Sequence, residues 1–293
     1  MIKNQSSLVS IVMNCYNGES FIHESVRSIL DQTYKNFEVI FWDNQSSDKS
    51  ADIYKSFKDE RLKYYYAKKH TSLYEARNLA ISKCRGEFIS FLDTDDIWVN
   101  DKLLLQIKKF KNKKVGLVYS NYFTLNQTTG IKKIVYKKKL PEGIVFNELL
   151  NDYFIGINTV ILRRSIILRE KKIFNNKFNI IGDFDLFMRL SKKIYFASIN
   201  KPIVIYRVHS KNFSKNNYKM YIKELKFWLN KQKLISKCKI IYVKERILYL
   251  EAIKYILNKK FIFSLKKIFK LLSLKKKIKL LTLLFLNFFI AIK

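Results

Sequence analysis

Two hydrophobic periods alternate along the first 120 residues. LVSIVM (8–13) is an apolar run of strand length. In SFIHESVRSILDQ (20–32), Ile22, Val26, Ile29 and Leu30 recur on one helical face behind Ser20, a candidate N-cap. FEVIFW (37–42) reads as a second buried strand, 48–58 as a helix, LKYYY (62–66) as a short strand and LYEARNLAISK (73–83) as a helix. FISFL (88–92), KLLLQIKKF (102–110) and VGLVYS (115–120) continue the series as strand, helix and strand. Strands and helices spaced this way predict an α/β fold with a parallel sheet covered on both faces.

Beyond residue 121 the pattern loosens. IKKIVYKKK (131–139) has the look of an exposed strand, NTVILRR (158–164) of a buried one, and DFDLFMRLSK (183–192) of a helix. After PIVIYRVH (202–209) the chain turns into long basic helical stretches. The expected division is a catalytic domain over 1–210, with halves of about 1–120 and 121–210, and a basic helical region over 211–293.

Charge sharpens this division. Of a formal net charge of +33, residues 211–293 carry +19, a face suited to an anionic membrane or to nucleic acid. Hydrophobic residues make up 48% of the chain, enough for a sizeable core, and only seven glycines and two prolines argue against an all-β protein of many tight turns. Cys15, Cys84 and Cys238 form no CxxC pair, and there is no N-terminal secretory pattern, so a reducing cytoplasm is expected. The three histidines lie far apart in sequence, which disfavours zinc.

Against this basic background, EFISFLDTDDIW (87–98) holds Glu87, Asp93, Asp95 and Asp96 within ten positions. Adjacent carboxylates repel, so a lysine cluster, a helix N-terminus or a metal ion is expected among them. In an open parallel sheet, ligands bind beyond the carboxyl ends of the strands. Tyr16 and Asn17 follow the first strand, Asp43 ends the second, and Asp93 and Asp95 follow FISFL. Each alone is an ordinary turn residue; together they mark one edge. Asp93 and Asp95, hard oxygen donors one residue apart, suit Mg²⁺ or Mn²⁺ on a substrate diphosphate, whereas a plain acidic lead-in to the next helix needs only one carboxylate. No GxGxxG follows the first strand, which disfavours a dinucleotide-dependent dehydrogenase.

VSIVMNCYNGESFIHESVRSILDQTYKNFEVIFWDNQSSDKS (9–50), EARNLAISKCRGEFISFLDTDDIW (75–98), GDFDLFMRL (182–190) and YRVH (206–209) together resemble the family 2 glycosyltransferases. The resemblance implies a GT-A fold, Rossmann-like, with a mostly parallel central sheet flanked by helices, here followed by the basic helical appendage. It implies an inverting hexosyl transfer from a nucleotide-sugar, with UDP favoured, to a hydroxyl of a glycan or polyprenyl-linked glycan in surface-polysaccharide assembly. Carried over by position, Tyr16, Asn17, Asp43, Arg77 and Asp93 would bind the donor nucleotide, and Asp95, Asp93 and His209 would hold the Mn²⁺ or Mg²⁺. Asp183 would be the catalytic base, and Asp185 a structural acid paired with Arg189. Gly182 stands where the family often has glutamate, and Asn14 where it usually has proline.

FIFSLKKIFKLLSLKKKIKLLTLLFLNFFIAIK (261–293) places Phe261, Leu265, Ile268 and Leu272 on one helical face, with a 13-residue apolar run from Leu280 to Ile292. That is short of the roughly 20 residues that span a bilayer. A helix lying in an anionic membrane interface is expected, and the alternative is a helix packed on its own domain. The protein would then be cytoplasmic and peripheral at the inner face of the plasma membrane. Two rival readings are an aspartyl-nucleophile phosphatase or phosphotransferase, which leaves YN, Asp43 and ARN unexplained, and a nucleic-acid-binding protein. The latter is disfavoured because the aromatics lie in apolar runs rather than on a basic stripe, so no nucleic-acid partner is expected.

Overall fold

In the computed structural model, which describes residues 7–170, 173–232 and 237–292, the chain divides into two compact units. The first comprises residues 1–149 and 154–210, the second residues 150–153 and 211–293.

The first unit opens with β1 (Val9–Cys15), α1 (Ile22–Leu30), β2 (Phe37–Asp43), α2 (Ser50–Ser56), β3 (Leu62–Tyr66), α3 (Leu73–Ile81) and β4 (Phe88–Phe91). These elements match the expected alternation. It continues with β5 (Ile97–Trp98), α4 (Lys102–Lys109), β6 (Val115–Asn126), β7 (Lys132–Ile134), α5 (Phe146–Asn151), β8 (Ile161–Arg163), α6 (Arg164–Ile167), α7 (Gly182–Leu190) and β9 (Tyr195–Val208). Residues 146–149 of α5 belong to this unit and residues 150–151 to the second. The strand order is β3-β2-β1-β4-β8-β6-β9-β5, with β7 paired to β6 outside that path.

β1 lies between β2 and β4, parallel to both, so side chains on both of its faces are buried. That is the reason it reads as a continuous apolar run. Val9, Ile11, Met13, Val26, Ile29, Val39, Phe41 and Phe88 share one core, built from β1, the inner face of α1, β2 and β4.

An all-parallel sheet is not what forms. β8 inserts antiparallel between β4 and β6, β5 and β7 are also antiparallel, and only β6 with β9 restores parallel pairing in the second half. The buried strand expected over 158–164 shortens to Ile161–Arg163 because residues 157–159 form a 3₁₀ turn. The exposed strand expected over 131–139 shortens to Lys132–Ile134. α1 begins one residue later than Ser20 predicts. Phe21 is its N-cap, without a side-chain cap bond, and the N–H groups of Phe21 and Ile22 both donate to the Gly18 carbonyl. α3 does have a side-chain cap: Ser72 Oγ accepts from the Glu75 N–H at 3.4 Å.

In the second unit, α8 (Phe213–Asn216) and α9 (Tyr218–Asn230) precede α10 (Lys237–Leu257), α11 (Phe261–Phe269) and α12 (Leu274–Ile292). The single amphipathic helix expected over 261–293 is therefore two helices broken at 270–273. Ile268, Leu271 and Leu280 pack with Ala252 and Ile256 of α10 in a small core of their own. Glu245 fastens the break, accepting from the N–H groups of Leu272 at 3.1 Å and Ser273 at 2.7 Å and from Lys276 Nζ at 3.2 Å. Among the described residues no helix is long and apolar enough to cross a membrane.

Candidate active site

The loops beyond the carboxyl ends of β1, β2, β3 and β4 are tied to one another. The Asn44 N–H donates to the Cys15 carbonyl at 2.8 Å, and the Ala67 N–H to the Asp43 carbonyl at 2.8 Å. Asn17, in the left-handed region at φ 55°, donates its N–H to Ser46 Oγ at 3.1 Å and accepts the Ser47 N–H on Oδ1 at 2.8 Å. Gly18 lies so close to the acidic turn that a Cβ there would sit 2.8 Å from Thr94 Oγ1. From beneath, Ser25 Oγ of α1 lies 2.8 Å from the Thr94 carbonyl and 2.6 Å from the Asp96 carbonyl, closing the turn onto the helix.

The donor-binding residues of the sequence reading fall on this edge, with different degrees of access. Tyr16 is 58% exposed, its ring edge-on to His70 at 4.4 Å. Asp43 has no exposed surface. Its Oδ1 accepts the Ser46 N–H at 2.7 Å and its Oδ2 the Tyr64 hydroxyl at 2.7 Å, so it shapes the 44–48 loop. Arg77 is almost fully buried and pairs through Nη2 with Asp93 Oδ1 at 2.5 Å.

Arginines answer the acidic turn, and no lysine cluster does so among the described residues. Arg77 takes Asp93, while Arg207 at the end of β9 takes the turn's backbone and its last acid. The Arg207 N–H donates to Asp96 Oδ1 at 2.9 Å and its Nε to the Asp95 carbonyl at 2.9 Å. Its guanidinium also reaches Gln127 Oε1 at 2.6 Å, pairs with Glu24 and lies over the Phe21 ring at 4.7 Å. Asp96 is buried, accepts a further bond from Asn158 Nδ2, and is pushed well above the usual carboxylate range by burial and then by the charges of Asp95 and Asp93.

Asp95 and His209 meet: His209 Nε2 lies 2.9 Å from Asp95 Oδ2, with Phe21 against the imidazole at 4.9 Å. Burial, and then the Asp93 charge, raises Asp95, and His209 pulls it down. Among the described residues no group of three or more His, Cys, Asp or Glu side chains forms a ready metal cage. A carboxylate and an imidazole side by side nevertheless fit a hard divalent cation that brings phosphate and water oxygens as its remaining ligands.

Asp183 opens α7. Its Oδ1 accepts the Phe184 N–H at 2.8 Å and lies 3.1 Å from the Tyr74 hydroxyl. Asp185 pairs with Arg189 at 3.1 Å, four residues on, as the sequence reading has it, and Glu170 joins the same guanidinium. α3 connects the parts of the site. Along it, Tyr74 faces Asp183 and Arg77 holds Asp93. Asn78 clamps the backbone of Phe174, donating to its carbonyl at 2.9 Å and accepting its N–H at 3.0 Å. Tyr74, Asp96 and Arg207 escaped the sequence reading as site residues. The third acid of DTDD and the arginine of YRVH were visible signals; Tyr74 had none.

The chain matches glycosyl transferase family 2 over residues 10–191. It is 34% identical over 214 residues to the Escherichia coli UDP-Glc:alpha-D-GlcNAc-diphosphoundecaprenol beta-1,3-glucosyltransferase WfgD, covering 72% of this chain and 81% of that protein. Its fold is shared with S. aureus TarS 1–349 in complex with UDP-GlcNAc, with TM-score 0.59, 16% identity and 88% of each chain covered. It is also shared with the mannosyltransferase PcManGT of Pyrobaculum calidifontis in complex with GDP-Man and Mn²⁺, with TM-score 0.60, 15% identity, and 94% of this chain and 78% of that one covered. The protein belongs to glycosyl transferase family 2 and is a glycosyltransferase of GT-A fold.

Proposed function

We propose that the protein transfers a sugar, with inversion, from a UDP-sugar to a hydroxyl of a lipid-linked glycan during assembly of a bacterial surface polysaccharide. The observation that carries this reading is the joining of two groups of residues through one helix: the acidic turn with His209, and Asp183. The likeness to a UDP-Glc-dependent enzyme acting on a diphosphoundecaprenol-linked sugar supports the choice of donor and acceptor.

In this reading Tyr16 lies against the base, and Asn17 and Asp43 fix the loops that receive the nucleotide. Arg77 sets Asp93 toward ribose or metal. Asp95, Asp93 and His209 would hold a divalent cation, which would supply neutralisation of the charge that develops on the departing diphosphate. Asp183 takes the proton of the acceptor hydroxyl as its oxygen attacks the anomeric carbon. The bond from that carbon to the diphosphate oxygen breaks, and the nucleoside diphosphate leaves. We assign residues 1–210 to catalysis and 211–293 to a helical appendage.

The appendage is also proposed to rest on an anionic membrane surface at the cytoplasmic face. Ile262, Phe263, Phe269, Leu272, Leu274 and Phe285 are exposed apolar side chains on or beside α11 and α12, with the exposed lysines 266, 270, 275 and 279 among them. Apolar groups interspersed with lysine suit an interface of acyl chains and anionic headgroups.

The function is tested by incubating purified enzyme with UDP-glucose and other UDP-sugars, Mn²⁺ and a GlcNAc-diphospholipid, and following sugar transfer by mass spectrometry. A metal-dependent product that EDTA abolishes is expected. Full transfer in EDTA would overturn the metal assignment. Transfer from GDP-sugars but from no UDP-sugar would overturn the donor assignment.

A further inference from the structure

The space beside Asp183 is occupied in an unusual way. Gly182 is the first residue of α7, and a Cβ built there would lie 2.6 Å from three carbons of the Tyr74 ring. The ring fills the place that a side chain at 182 would take. Tyr74 is 2% exposed, stacks on Phe174 at 5.3 Å between centroids, and has the Arg77 guanidinium 5.4 Å from its ring centre. Its hydroxyl lies 2.8 Å from the Ile180 carbonyl and 3.1 Å from Asp183 Oδ1.

We propose that Tyr74 is the positioning residue of the catalytic base: its hydroxyl donates to Asp183, orienting the carboxylate and keeping it ionised. The proposal rests on Asp183 being the base. A phenol has one proton and two oxygens within reach here, and a charged acceptor makes the stronger bond. The Phe184 N–H falls on the same carboxylate oxygen, so two donors fix the rotation of the carboxylate plane about its bond to Cβ. Burial pushes the phenol well above its ordinary value, so it remains a donor throughout the working pH range. Gly182 is then what allows a donor from α3 to serve the base.

A double-mutant cycle of Tyr74→Phe and Asp183→Asn, read by denaturant unfolding between pH 3 and pH 8, tests this without any substrate. Near neutral pH the coupling between the two side chains is expected to be about tenfold in the folding constant, the scale of one hydrogen bond to an anion. It should fade as the carboxylate is protonated. Among the described residues, Arg77 acts on Asp183 through its charge and does not titrate in this range; its partner Asp93, like Asp185 two residues along from Asp183, is common to all four proteins. Coupling that is absent, or equally strong at pH 3, would overturn the proposal, because packing alone does not follow the carboxylate's charge.

In the transfer assay, Tyr74→Phe is expected to move the acid limb of kcat/KM upward by about one pH unit with donor affinity unchanged. An unmoved limb would count against the proposal. If Tyr74→Phe does not fold, 2,3-difluorotyrosine at position 74, a stronger donor, should move the limb downward, and no movement would again overturn it. Parent-level turnover in Asp183→Asn would instead refute the base assignment, a separate and distinguishable failure.

Discussion

Gly182→Ala is a one-carbon change with a sharp structural consequence. The added Cβ would meet the Tyr74 ring at 2.6 Å, about 1 Å inside ordinary contact. The ring has little room to retreat, being buried, stacked on Phe174 and held at its hydroxyl by Ile180 and Asp183. Overpacking of this kind costs about 1–3 kcal/mol. The usual gain from replacing a helical glycine, up to ~1 kcal/mol, is reduced at the first position of α7. The net expectation is a loss of roughly 1–2 kcal/mol, read as a fall of about 3–7 °C in Tm for a unit of this size. Turnover should fall with it, because Asp183 is the next residue. Adding Tyr74→Leu makes room for the new methyl, so the double variant should be more stable than the sum of the single effects predicts, by about 1 kcal/mol. A stabilised Gly182→Ala protein, or strict additivity, would refute the contact on which this reasoning depends.

The exposed apolar residues of the appendage should govern membrane partitioning. Phe269→Glu with Leu272→Glu is expected to shift the protein off vesicles containing phosphatidylglycerol without changing its circular dichroism, and unchanged sedimentation with the vesicles would contradict the membrane reading. Truncation is a poorer test, because Ile268, Leu271 and Leu280 belong to the helical unit's own core. Glu245 lies below its ordinary value of 4.5: burial raises it, and the Ser273 N–H, Lys276 and the Leu272 N–H outweigh that. A depressed carboxylate contributes stability above its ordinary value and loses it as the pH falls through the depressed one. Glu245→Gln should therefore cost about 1 kcal/mol near neutral pH and progressively less as the pH falls below the ordinary carboxylate range. A gap of constant size in pH-resolved melting curves would contradict this.

The first half of the fold was legible because β1, β2 and β4 are buried and alternate with helices, so their apolar runs and the helical stripes report burial directly, while β3 at the sheet's edge still shows as a short aromatic run. β8 was legible as a buried strand but not as an antiparallel insertion, because an apolar run carries no direction. β5 is two residues long, too short for any period to show. β9 was recognised only over its second half; Asn200 and Lys201 interrupt its apolar pattern where β6 carries register irregularities around Ser120 and Asn121.

At the site, Asp93, Asp95, His209 and Asp183 stand out as candidates by their motifs, and helical spacing anticipates the Asp185–Arg189 pair that the structure forms. The partners that hold them were not. Arg207 reaches the acidic turn across more than a hundred residues of chain, and Tyr74 reaches Asp183 across a similar span. Contacts of that range depend on which strands neighbour one another, and local pattern does not encode that. The departure at Gly182 looked like a missing acid. The structure gives it a positive reason, a tyrosine ring in the same place.

In the proposed transfer, Asp183 removes the proton of the acceptor hydroxyl. Asp183→Asn keeps the size and hydrogen-bonding shape of the side chain and removes the base. The most direct measurement combines single-turnover transfer with calorimetric donor binding, on parent and variant at saturating Mn²⁺. Donor affinity within about twofold of the parent, with transfer slowed by roughly a hundred- to ten-thousand-fold, is the predicted result. Transfer at the parent's rate, or a loss accounted for wholly by weaker donor binding, would contradict it.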